Sequence, residues 1–117
     1  MPARCEVLAD RPHVALVTID RPQHANALDP PTLRELAAAW RRIAADDAIR
    51  CAVVIGAGDR VFCAGMDMGA LDNMAAGSGQ REDLSGLAAE PGDPSMGDQF
   101  GVAFSYLMSV RKPIIAA

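Results

Sequence analysis

The N-terminal segment contains two apolar stretches separated by a short polar one. Residues 5–9 (CEVLA) predict a short strand, residues 10–13 predict a turn, and residues 14–19 (VALVTI) predict a second strand. The second stretch has apolar residues on both faces, which is typical of a strand covered on both sides. We therefore expect a pair of N-terminal strands, the second of them buried.

A helical repeat follows in the segment PTLRELAAAWRRIAADD, residues 31–47. Its apolar residues recur at spacings of three and four, and its charged residues lie mostly off that face. Asp29 is placed to cap the helix, and the prolines after it suit the first helical positions, where a missing N–H costs nothing. Trp40 lies on the apolar face, and we expect it in the core.

The remaining segments predict further α/β structure. Residues 51–56 read as a β-branched strand that ends at a glycine, and strand–helix–strand order favours parallel pairing with the strand at 14–19. Residues 61–64 also read as the end of a buried strand. Residues 69–97 are rich in Gly, Ala and Ser and predict a mobile loop with a short helical turn near 71–74. A second helix is predicted at 98–110, followed by a strand at 114–117.

The composition excludes several classes of function. The chain has 117 residues, a formal net charge of −4 and 4% aromatic residues, which suits one modest globular domain. A general nucleic-acid binder normally shows a basic face or stacking rings, and neither is expected here. The N-terminus lacks the apolar run of a signal peptide, and no stretch approaches membrane-spanning length. Cys5, Cys51 and Cys63 form no CxxC pair, so we expect reduced thiols and a cytoplasmic location.

Most motifs that could carry chemistry are incomplete. The segment GAGDRV lacks the third glycine of a dinucleotide-binding turn, so Gly56 and Gly58 are interpreted as turn residues. His13 and His24 have no cysteine or carboxylate at ligand spacing, and no metal site is expected. No serine lies in a GxSxG elbow. If VFCAGMDMGA, residues 61–70, carries chemistry, the backbone must supply it.

The segments VTIDRPQHANAL, IRCAVVIGAGDRVFCAGMDM and KPIIAA occur in an order that resembles the enoyl-CoA hydratase/isomerase (crotonase) family. The resemblance extends from about Val14 to Ala117. It implies an α/β crotonase-like (ββα)n superhelix, of which this chain is a truncated N-terminal part. It also implies an acyl-CoA thioester substrate, with coenzyme A as part of the substrate and no separate cofactor, and a homotrimer or hexamer in a full-length parent.

The resemblance implies that the backbone N–H of Met66 is one of two oxyanion donors for the thioester oxygen. A fixed N–H at a helix start would stabilise the enolate, and Gly65 would allow close approach of the ligand. The alternative is a plain turn capped by Asp67. The family often has basic residues before the Asn, where this chain has His24 and Ala25. The residues implied in substrate binding are His24, Ala25, Ala27, Ala64, Gly65, Met66, Asp67 and Met68.

The rest of the family's site is not matched by this chain. The second donor is expected just after KPIIAA and the acid–base carboxylates further on, and Glu82 and Glu90 match neither position. We therefore expect the chain to supply the first half of the site and to be inactive alone. Two other interpretations stay open: a non-catalytic remnant that serves in assembly or binding, and an unrelated small α/β nucleotide-binding module.

Overall fold

The computed structural model describes residues 2–75 and 110–117. These residues form one four-stranded sheet in the order β1-β2-β3-β4, with a long helix and two short helical segments. In chain order the elements are β1 (Ala3–Leu8), β2 (Arg11–Ile19), a 3-10 turn (Pro22–His24), α1 (Pro30–Ala45), β3 (Cys51–Gly56), α2 (Met68–Ala75) and β4 (Ile114–Ala116).

The sheet combines one antiparallel pair with two parallel pairs. β1 runs antiparallel to β2, with Ala3 opposite Ile19. β3 runs parallel to β2, from Val14 opposite Cys51 to Ile19 opposite Gly56, so the predicted parallel pairing is confirmed. β4 then pairs parallel with β3. Because parallel strands leave the sheet at the same edge, the loops after β2 and β3 emerge side by side.

Helix α1 connects β2 to β3 and contacts β1 and β2. The carboxylate of Asp29 accepts the backbone N–H of Thr32 at 3.0 Å, which confirms the predicted cap. Trp40 and Ile43 are buried in the main core with residues of β1, β2 and β3, as expected for Trp40. At the other end of α1, the ammonium of Lys112 donates to the carbonyls of Ile43 and Asp46, which satisfies acceptors that the helix leaves unpaired.

Several predicted boundaries are wrong. β2 begins at Arg11 and not at residue 14, so His13 lies in a strand, where its ring bonds to the carbonyl of Ala48 at 2.8 Å. Residues 61–64 form no strand, and Val61 and Phe62 are 40% and 43% exposed. The reason is that the carbonyl of Val61 accepts a hydrogen bond from the loop after β2 and the stretch is not paired as a strand of the sheet.

Residues 69–75, the start of the predicted loop, are helical. α2 extends the predicted helical turn at 71–74 to Met68–Ala75. Residues 76–97, and the predicted helix at 98–110 apart from its last residue, lie outside the described residues. That last residue, Val110, is buried in the main core and lies in no helix.

Two surveys of the described part of the chain concern function. Within residues 2–75 and 110–117, no helix combines the length and apolar character that a membrane span requires. Over the same residues, no three His, Cys, Asp or Glu side chains come together as a metal site.

Candidate functional site

The loop after β2 and the turn before α2 are joined by backbone hydrogen bonds. The N–H of Ala64 donates to the carbonyl of Ala25 at 3.1 Å. The N–H of Leu28 donates to the carbonyl of Gly65 at 2.7 Å, and the N–H of Asp67 donates to the carbonyl of Leu28 at 2.9 Å. These bonds bring together the two segments that the sequence singled out for substrate binding.

The last two bonds make a single parallel bridge between Leu28 and Met66. In such a bridge, the backbone N–H and carbonyl of one residue make both hydrogen bonds. The N–H and carbonyl of the residue opposite point away from that partner. Leu28 is the residue that bonds, so the N–H of Met66 points away from the loop. No acceptor for this N–H occurs among the described residues. It is therefore a fixed donor on the side of the bridge away from Leu28.

The side chain and neighbours of Met66 hold this turn in place. The side chain is partly buried and packs against Leu33 and Ala37 of α1. Gly65 has a φ of +95°, a conformation that strains any residue with a Cβ. The turn that reverses the chain before Met66 therefore depends on glycine.

Asp67 caps α2, so the plain structural interpretation of the turn is correct as far as it goes. Its carboxylate accepts the backbone N–H of Ala70 at 3.2 Å. That bond is the main reason why the pKa of Asp67 is lowered; desolvation, the next largest effect, raises the pKa, and hydrogen bonding and charge from Arg21 lower it further. The helix cap and the unpaired N–H can occur in one turn, because Asp67 caps α2 with its side chain and Met66 presents its backbone N–H.

Asn26 joins the loop after β2 to the loop after β3. Its side chain is buried, its amide oxygen accepts the N–H of Arg21 at 2.9 Å, and its amide nitrogen donates to the carbonyls of Ala57 and Val61 at 3.0 and 2.7 Å. The φ of Asn26 is +53°, which asparagine tolerates better than most residues. We did not predict this role, although an Asn between two alanines in a turn is a weak signal for such a conformation.

Arg21 is the second residue that sequence reasoning missed. Its side chain is 11% exposed and its guanidinium forms ion pairs with Asp29 and with Asp67, both at 3.2 Å. The same guanidinium donates to the carbonyl of Ala27. No sequence signal could identify these partners, because Asp67 lies far along the chain.

The other predicted substrate-binding residues lie around these two segments. His24 is exposed in the 3-10 turn, and Ala25 has a φ of +53°. Ala27 is buried, and Arg21 occupies its carbonyl. Met68 is 70% exposed at the start of α2. Their contacts with a substrate stay predictions.

A cleft of about 320 Å³ lies between the two loops. Part of its wall is the Ala25–Asn26 backbone, and the facing wall is the loop that follows β3. The lining residues are Pro22, Gln23, Ala25, Asn26, Ala57, Gly58, Asp59, Arg60 and Val61. The lining includes the charged residues Asp59 and Arg60 but none of residues 62–68, so the cleft is separate from the Met66 turn.

Comparison with known proteins gives the family. The family model described as enoyl-CoA hydratase/isomerase matches residues 10–117. The chain belongs to this family. The fold predicted from the sequence, an α/β crotonase-like fold of which the chain is the N-terminal part, is confirmed by this match and by the solved structures it resembles.

Relatives of this enoyl-CoA hydratase/isomerase family member include enzymes that act on CoA thioesters. The chain is 41% identical over 109 residues to the mevalonyl-coenzyme A hydratase of Beauveria bassiana. The alignment covers 92% of this chain and 36% of the relative. It is 48% identical over 56 residues to the (E)-benzylidenesuccinyl-CoA hydratase of Thauera aromatica, covering 48% of the chain and 22% of the relative.

Solved structures agree with this assignment. A probable enoyl-CoA hydratase/isomerase from Mycobacterium abscessus superposes with a TM-score of 0.63 at 31% identity, over 98% of this chain and 36% of that one. An enoyl-CoA hydratase from Bacillus anthracis gives a TM-score of 0.69 at 22% identity, which supports the fold alone. The chain spans 36% of the length of the Beauveria relative and of the Mycobacterium structure.

Proposed function

We propose that this chain contributes the first half of the site of an acyl-CoA enzyme of the enoyl-CoA hydratase/isomerase type. The Met66 N–H donates to the thioester oxygen of the substrate. One observation carries the proposal: this N–H is fixed by a bridge on its other side and has no acceptor among the described residues. The names of the relatives, several of them hydratases of CoA thioesters, support the substrate class.

The chemistry of hydration explains why a backbone donor suffices here. The oxygen of water bonds to the β carbon of the enoyl thioester while one of its O–H bonds breaks and that proton passes to a base, and the electron pair of the double bond moves toward the thioester oxygen. An acid then gives a proton to the α carbon, the charge returns from the oxygen, and the product is a 3-hydroxyacyl thioester. The base and the acid belong to the half of the site that these residues do not supply. The Met66 N–H stabilises the oxygen while it carries negative charge, and its effect is largest in the transition state.

The start of α2 strengthens this donor. The N-terminus of a helix carries partial positive charge, and Met66 lies just before the Asp67 cap. Asp67 bears a negative charge, but its carboxylate is paired with Arg21 and bonded to the N–H of Ala70. The oxyanion would therefore accept the Met66 N–H, while the nearby Asp67 carboxylate is bonded to Arg21 and to the N–H of Ala70.

The two loops form the proposed binding surface for the coenzyme A part of the substrate. This surface consists of His24, Ala25, Ala27, Ala64, Gly65, Met66, Asp67 and Met68. The backbone bonds between Ala25 and Ala64 and between Leu28 and Gly65 support it, because they make one continuous surface from both segments. The second oxyanion donor and the acid–base groups belong to the half of the site that these residues do not supply.

A comparison of alanine with proline at one position tests the donor. The protein is expressed from its complete natural coding sequence and assayed for hydration of a short-chain enoyl-CoA. Met66→Ala keeps the N–H and loses packing against Leu33 and Ala37, so it lowers the melting temperature and leaves kcat within a few-fold. Met66→Pro removes the N–H and lowers kcat by about 10²- to 10³-fold relative to Met66→Ala.

Circular dichroism and thermal melts establish that both variants are folded before their rates are compared. A folded Met66→Pro variant that turns over substrate as fast as Met66→Ala would show that Met66 is not the donor. A wild-type protein that binds acyl-CoA and turns over no enoyl-CoA would favour the non-catalytic alternative.

A further inference from the structure

Arg21 contacts both sides of the bridge that fixes the Met66 N–H. Its Nη1 atom donates to the carbonyl of Ala27, the residue before Leu28, and lies 3.2 Å from the carboxylate of Asp67, the residue after Met66. Its Nη2 atom lies 3.2 Å from the carboxylate of Asp29, the residue after Leu28. One planar guanidinium therefore contacts three residues that flank the two bridge partners.

We propose that Arg21 is a positioning residue for the oxyanion donor: its guanidinium holds the Leu28–Met66 bridge in register and so fixes the direction of the Met66 N–H. Arg21 touches no substrate in this proposal. The proposal rests on the proposed function for its catalytic consequence, whereas the positioning itself can be measured without catalysis.

Two features of the contacts favour this role over a general contribution to stability. Asp29 and Asp67 are 25% and 22% exposed, so the loss of Arg21 removes an ion-pair partner from two partly buried carboxylates at once. They cap α1 and α2, so a guanidinium that pairs with both links the starts of the two helices. Lysine cannot replace this geometry, because an ammonium is a point charge and the guanidinium is a planar fork.

The Arg4–Asp20 pair provides a matched comparison. Its ion pair is 3.4 Å long, but the Arg4 side chain is 55% exposed, against 11% for Arg21. Arg4 contacts neither bridge segment through this pair. Exposed ion pairs contribute little, so Arg4→Gln is expected to change neither the turn nor the rate.

Hydrogen exchange measured by NMR tests the positioning directly. The amides of Leu28 and Asp67 donate the two bridge bonds, and the amide of Ala52, which donates to the carbonyl of Pro113 between β3 and β4, reports on the sheet. We expect Arg21→Gln to accelerate exchange at Leu28 and Asp67 by about tenfold or more, with Ala52 unchanged. Arg21→Lys gives a smaller acceleration, and Arg4→Gln gives none.

Steady-state kinetics on the same proteins, expressed from the complete coding sequence, test the consequence. Arg21→Gln lowers kcat on an enoyl-CoA by about 10- to 100-fold, because a mobile donor loses part of the roughly 10²- to 10³-fold effect of one oxyanion donor. Free coenzyme A has no thioester oxygen but would contact the same two segments, so its affinity, measured by calorimetry, falls by a smaller factor than kcat. Arg21→Lys recovers part of kcat.

The outcomes separate this proposal from the proposed function. Unchanged exchange at Leu28 and Asp67 in Arg21→Gln, or equal acceleration at Ala52, would overturn the positioning role. Local acceleration in a protein whose wild type turns over no acyl-CoA would uphold the positioning and overturn the proposed function. If Arg21→Gln does not fold, Asp67→Asn replaces it, since asparagine retains an oxygen for the Ala70 N–H and loses the charge that pairs with Arg21.

Discussion

The strongest stability prediction concerns Asn26, because its buried side chain makes one bond within the loop after β2 and two to the loop after β3. Asn26→Ala removes its bond from the Arg21 N–H and its bonds to the carbonyls of Ala57 and Val61. The loops after β2 and β3 then lose the two hydrogen bonds that Asn26 makes between them, and the backbone bonds between Ala25 and Ala64 and between Leu28 and the Met66 turn remain.

The magnitude follows from these bonds and from the backbone. Each lost hydrogen bond lowers the free energy of unfolding by about 1 kcal/mol, which gives about 3 kcal/mol for the three. Alanine at the φ of +53° that Asn26 adopts adds about 1 kcal/mol, because a Cβ without a local polar contact is unfavourable in the left-handed region. We therefore expect a loss of about 4 kcal/mol, which is a large fraction of the stability of a typical domain.

Urea unfolding followed by circular dichroism measures this loss. Gln23→Ala is the control, since Gln23 is an exposed amide in the same loop, and its effect should stay within about 0.5 kcal/mol. Asn26→Asp is the second probe, because it keeps the size and the acceptor for Arg21 but turns the donor toward Ala57 and Val61 into an acceptor. A loss below about 1 kcal/mol for Asn26→Ala would refute the reasoning.

Two further predictions concern Gly56 and Asp67. Gly56→Ala places a Cβ 2.2 Å from the backbone oxygen of Phe62. A Cβ at Gly65 meets no heavy atom of the described residues within 4 Å, and the strain there comes from the φ of +95°, so thermal melts should show a larger loss for Gly56→Ala than for Gly65→Ala. The pKa of Asp67 lies below 3.8, mainly through the Ala70 N–H, so its contribution to stability is complete above pH 3.8 and is lost as the pH falls through the lowered pKa. A carboxyl NMR titration with a midpoint at or above 3.8 would contradict this.

Local patterns in the sequence were sufficient for the frame of the fold. The helical repeat and the Asp29 cap predicted α1, and the strand–helix–strand order predicted the parallel pairing of β2 with β3. These features depend on residues close together in the chain. The start of β2 was placed late because Arg11, Pro12 and His13 are polar or rigid residues that the strand accommodates on its exposed end.

The candidate site was predictable only where the backbone matters more than the side chain. The resemblance pointed to the Met66 turn through its order of small residues and glycine. It gave no role to Asn26 or Arg21, whose importance arises from partners in other segments: Ala57 and Val61 for one, and Asp67 for the other. Long-range polar partners leave no periodic signal, so such residues emerge only from the folded arrangement.

For the proposed role of the Met66 N–H, the geometry explains how the turn can be rigid while this N–H has no acceptor among the described residues. A backbone N–H that points into a binding surface cannot be held by a hydrogen bond of its own, since that bond would compete with the ligand. The chain solves this by fixing the residues on either side: Leu28 bonds to Gly65 and Asp67, and Arg21 pairs with Asp67. The Met66 N–H thus stays unpaired among the described residues while its direction is determined by its neighbours. Preorganisation of this kind is what an oxyanion donor requires, because no reorganisation is then needed when the charge develops.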